Sequence, residues 1–60
     1  MAITTICYGE RQVWKNAKEA KRFFMDCVMN SEGSEQSRYV NILIGIEEGY
    51  KHITDSGEYK

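Results

Sequence analysis

Two stretches of the chain carry apolar residues at helical spacing, and only four polar residues separate them. In the first, Ala17, Ala20, Phe23, Phe24, Cys27 and Val28 recur at steps of three and four, which is one face of a helix. Lys18, Glu19, Lys21, Arg22 and Asp26 fill the remainder, with Met25 and Met29 off the main stripe. Asn16 suits the N-cap, and Glu19 follows three residues on in a capping-box arrangement. The second stretch runs from Ser34 to about Glu48 and carries Tyr39, Val40, Ile42, Leu43, Ile44 and Ile46. Its wider apolar arc predicts the more central helix. Asn30-Ser31-Glu32-Gly33 lies between, a link so short that the helices must run antiparallel, side by side. Ser34 is the expected cap of the second helix. Gly49 suits the left-handed position past its end, with Tyr50 folding back towards Ile44.

The flanking segments read as strands. Residues 2–8 are rich in β-branched and aromatic types. Ile3 and Ile6 have opposite parity, so neither face of this strand is cleanly apolar. Gly9-Glu10 suits a type II′ hairpin turn into a short strand from Arg11 to Trp14. Lys51 to Thr54 reads as a last short strand able to pair with the first, and residues 55–60, rich in turn formers, are expected to fray. The expectation is one α+β domain over residues 1–54, in the order ββααβ. It pictures an antiparallel helical hairpin on one face of a two- or three-stranded antiparallel sheet. Ala17, Ala20 and Gly45 are small, and a close helix–helix crossing is expected where they meet.

Composition narrows the function. Sixty residues make one small domain, of a size that buries only about 60% of its unfolded surface. The apolar content of 42% is that of a globular protein. The longest apolar run, Ile42-Leu43-Ile44, is far short of a membrane span, and no basic region followed by an apolar stretch opens the chain. A cytoplasmic protein is therefore expected. Cys7 and Cys27 lack the CxxC spacing of a zinc or redox site and read as buried free thiols. With His52 they are the only soft metal-ligand candidates, one short of a structural zinc set. No metal, cofactor or catalytic residue is assigned. The single histidine, the absence of a nucleophile elbow and the consecutive Glu47 and Glu48 argue against an enzyme.

Net charge is −1, whereas a domain gripping phosphates usually carries a basic excess. The charge is unevenly spread. Residues 1–30 carry five basic and three acidic groups, and residues 31–60 carry three and six. Lys15, Lys18 and Arg22 form one helical stripe, with Trp14 and Arg11 nearby in sequence. These five residues are the candidate partner-binding site. Their bland reading is intramolecular. Lys15 and Lys18 sit at a helix N-terminus and Glu47 and Glu48 at a helix C-terminus, each disfavoured by the macrodipole, so the hairpin lets them offset one another. The leading function is a small protein-binding adaptor or regulator, with a homodimer as one form. The alternative is a nucleic-acid-binding protein using the basic stripe.

The run from Val13 to Gly49 resembles a group of short uncharacterised proteins carried on conjugative and phage-derived mobile elements of Firmicutes. Trp14-Lys15, Glu19-Ala20, Phe23-Phe24, Gly33-Ser34-Glu35 and Arg38-Tyr39-Val40-Asn41-Ile42 carry the likeness. It implies a bacterial, mobile-element setting and no activity or site residue.

Overall fold

The computed structural model describes residues 2–60. Strands β1 (Ile3–Cys7) and β2 (Glu10–Trp14) precede helices α1 (Ala17–Met29) and α2 (Ser34–Glu47), and β3 (His52–Thr54) follows. The class is α+β and the order ββααβ. The sheet is mixed, with strand order β2-β1-β3. β1 and β2 pair antiparallel as expected, but β3 pairs parallel to β1, which corrects the all-antiparallel sheet. The cause is the near-equal length of the helices, 13 and 14 residues. β2 ends beside Ile3; α1 leads away from that end and α2 returns to it, so β3 starts where β1 starts.

The β1–β2 turn differs from expectation. Cys7 and Glu10 close the ladder, leaving Tyr8 and Gly9 as the central pair. Both have positive φ, 54° and 78°, which is a type I′ and not a type II′ turn. The two registers differ by two residues, so both keep Trp14 on the same face and the apolar pattern cannot choose between them. A tertiary contact distinguishes the observed one: the Tyr8 N–H donates to Asp55 Oδ2 at 3.0 Å.

Ile3, Thr5, Trp14 and Ile53 face the helices and are buried with Ala20, Phe24, Ile42 and Ile46. The Trp14 indole donates to Thr5 Oγ1 at 2.9 Å, which satisfies two buried polar groups at once. By parity Thr4, Ile6, Arg11, Val13 and His52 lie on the opposite, uncovered face. The split of Ile3 and Ile6 is thus real, with Ile3 in the core and Ile6 half-exposed. α2 contacts both β1 and β3, whereas α1 rests on β2.

Asn16 caps α1 as expected, accepting from the Glu19 N–H at 2.9 Å. At α2 the cap position is Gly33 and makes no side-chain cap bond, because Ser34 is already the first helical residue. Gly49 ends α2 with φ 88°. The Gly49 N–H donates to the Ile46 carbonyl and the Tyr50 N–H to the Gly45 carbonyl, both at 3.1 Å, the Schellman pattern. The Tyr50 ring stacks on Tyr59, centroids 5.1 Å apart.

Residues 55–60, expected to fray, are packed down. They turn at Gly57 and run back antiparallel along β3, where His52 and Lys60 exchange backbone bonds of 3.0 and 2.8 Å. Tyr59 is half-buried against the core and donates to the Asn41 carbonyl. Gly45 serves this docking and not the helix crossing. A Cβ there would lie 2.7 Å from the Tyr59 ring and 2.8 Å from Ile53 Cγ2. Gly45→Ala normally gains about 0.5–1 kcal/mol in a helix. Here overpacking of about 1–3 kcal/mol opposes it, and a net loss of about 1–2 kcal/mol is expected in urea denaturation. A higher midpoint for the variant would show that Tyr59 is not seated on α2.

Candidate functional site

The five candidate residues do not converge. Trp14 is only 6% exposed and packs edge-on against Phe24, with centroids 5.7 Å apart, so its face is closed to a ligand. Arg11 is on the uncovered face of the sheet, paired with Ile6 across the ladder. Lys15 is exposed in the link between β2 and α1. Lys18 and Arg22 remain together, one turn apart on exposed positions of α1. They border an open concavity of about 480 Å³ with Glu19, Phe23 and the edge of Trp14. On their other side they border a shallow apolar groove with Lys21 and Met25.

The charge compensation between the helix ends exists, but with a different lysine. Lys21, not Lys15 or Lys18, forms the ion pair with Glu47. Lys21 lies on the side of α1 that meets α2, whereas Lys18 is rotated outward. Both partners are about half-exposed, at 45% and 56%, so the pair is worth less than about 1 kcal/mol. Two rows of side chains extend from it. Lys21, Met25 and Met29 descend α1, and Val40, Ile44 and Glu47 ascend α2. Met25 (48%), Met29 (78%), Val40 (37%) and Ile44 (43%) are all exposed. Helix rotation puts them on the side of the hairpin turned away from the sheet. The off-stripe positions of Met25 and Met29 signalled this surface; Val40 and Ile44 were hidden in the apolar arc of α2.

A second cluster, unforeseen in the sequence, surrounds Asp55. Its carboxylate accepts from the Tyr8 N–H and from Arg38 at 2.9 Å. Its backbone N–H donates to the Ile6 carbonyl, and its carbonyl accepts from Asn41, both at 3.0 Å. The Arg38 guanidinium also lies over the Tyr8 ring, 4.7 Å from its centroid, and the Tyr8 hydroxyl reaches Glu35 at 3.4 Å. Burial pushes the Asp55 carboxyl up, but the Tyr8 N–H and Arg38 outweigh it and hold its pKa below the ordinary value. Every strong group here is satisfied within the chain, so the cluster is a clasp between the β1–β2 turn, α2 and the C-terminal segment.

Cys7 and Cys27 are free, half-buried thiols that border one cavity of about 310 Å³ with Phe24 and Tyr39. Burial, then the Asp55 charge, raises the Cys7 pKa to about 11, so at neutral pH it is a thiol and a poor nucleophile. Burial also raises that of Cys27. His52 lies on the other face of the sheet, so the three soft donors cannot share an ion. Among the described residues no cluster of three His, Cys, Asp or Glu side chains is suited to a metal, and no helix is long and apolar enough to cross a membrane.

Compared with protein-family models, curated proteins and solved structures, the chain matches none of them.

The depressed pKa of Asp55 carries a sign. Its stabilisation is complete above the unfolded carboxyl value, about 3.9, and is lost as pH falls through the lower folded value. Asp55→Ala should cost about 1–3 kcal/mol at pH 7. The gap between wild type and variant should narrow as pH falls below about 4 in urea titrations. A gap independent of pH would mean that Asp55 acts without its charge.

Proposed function

We propose that this protein is a small binding module, an adaptor or regulator that acts by docking on another protein and not by catalysis. One observation carries the reading: Met25 and Met29 on α1 and Val40 and Ile44 on α2 are all left exposed, at helical positions turned away from the sheet. Ala20, Phe24, Ile42 and Ile46 face the core, and Arg38 is held in the Asp55 clasp. Among the described residues nine large apolar side chains are exposed, these four among them. Methionine suits such a surface because its flexible thioether adapts to a partner's shape. Lys18 and Arg22, from the original candidate set, flank it and would steer a partner.

The nucleic-acid reading is weaker on the same geometry. Arg11 is separated from Lys18 and Arg22 by the thickness of the sheet, and the Trp14 ring that would stack a base is buried. The resemblance to mobile-element proteins of Firmicutes supports a bacterial cytoplasmic setting, where small proteins of this kind bind element or host proteins.

A photoreactive amino acid at Met29 tests the reading in living bacterial cells. Protein adducts at position 29, missing when the same probe is placed at Glu58, are the expected result. Fluorescence anisotropy with single- and double-stranded oligonucleotides at low salt should show no binding. Tight association weakening steeply with salt would instead favour nucleic acid.

A further inference from the structure

We infer that the partner of the outer hairpin surface is a second copy of this chain, docked antiparallel through α1 about a two-fold axis. The inference rests on the protein-binding reading and names its partner. The surface is polar in one direction along α1: Lys18 and Arg22, then Met25 and Met29 with Asp26 at the flank of their groove, then Glu32 in the link to α2. All six are exposed, and the described residues contain only two ion pairs, Lys21–Glu47 and Arg38–Asp55. Lys18, Arg22 and Glu32 therefore have no ionic partner among the described residues.

A sequence of basic, apolar and acidic positions complements itself when inverted. An antiparallel two-fold arrangement sets Met25 against the partner's Met29, and by symmetry Met29 against the partner's Met25. The same alignment brings Arg22 to the partner's Glu32, twice per dimer. Val40 and Ile44 lie alongside on α2 and extend the apolar contact across both hairpins. Such an isologous contact is the commonest closed symmetry of soluble proteins, and it stacks two hairpins as a four-helix layer between two outer sheets. A parallel arrangement would set Arg22 against Arg22 and Glu32 against Glu32. Small domains often gain by association the core that a single chain cannot supply.

Sedimentation equilibrium across a concentration series, on the whole chain, tests this. The wild type should be a dimer that dissociates on dilution. Arg22→Glu and Glu32→Arg should each raise Kd by about tenfold, and the double reversal should restore it. Met29→Lys should abolish association. Because lysine near a helix C-terminus favours the helix, its thermal unfolding should still be that of a folded monomer. A wild type that stays monomeric at millimolar concentration overturns the inference, as does a dimer insensitive to these changes. In either case adducts to a different protein from position 29 would leave the docking reading standing, and absence of any adduct would remove both.

Discussion

The fold depends on one geometric constraint: a helical hairpin of two nearly equal arms brings the chain back to the end of the sheet it left. From this follows the parallel β1–β3 pair, since β3 must start beside the start of β1. The same constraint gives each helix an inner side on the sheet and an outer side in solvent. The inner sides supply Ala20, Phe24, Ile42 and Ile46 to the core, and the outer sides are left with apolar groups that the domain has no layer to cover. A sheet with helices on one face only is thin, and its surplus of apolar surface is a consequence of size.

Three weaker devices fasten the elements around the core. The Trp14–Thr5 hydrogen bond fastens β2 to β1 beneath α1. Asp55 fastens the β1–β2 turn to α2 through Arg38 and Asn41. Tyr59, seated on Gly45, fastens the C-terminal segment over the far edge of the sheet. That segment covers the outer edge of β3, where an unpaired ladder would otherwise invite association. The second and third join residues distant in sequence, and all three place a polar group against the apolar core.

Local chemistry was legible in the chain and long-range chemistry was not. The Asn16 cap, the Gly49 terminus and the boundaries of both helices follow from propensity and periodicity. The strand parity of Ile3 and Ile6 was visible too. The type I′ turn was not, because Tyr8 is a poor residue for positive φ by local rules and is held there by Asp55, 47 positions away. Asp55-Ser56-Gly57 looked like a chain running out, since a turn without a following apolar run resembles a tail; Tyr59 alone marks the return. Of the candidate site, Lys18 and Arg22 were placed on one exposed helix stripe by their spacing. The burial of Trp14, another of the candidates, depends on α1 crossing β2, which spacing along the chain does not show, and the partner of Glu47 is Lys21 because helix rotation, not distance along the axis, decides which lysine faces α2.

The central claim is that the outer side of the hairpin is where this molecule meets a partner, and that an identical molecule fits it. Methyl NMR on chain labelled at the methionine ε-carbons and at isoleucine and valine methyls reads that surface directly. On serial dilution the resonances of Met25, Met29 and Ile44 should move together along one binding curve, while Ile6 and Val13 on the uncovered sheet face stay fixed. Movement confined to Ile6 and Val13, or none at any concentration, would contradict the account.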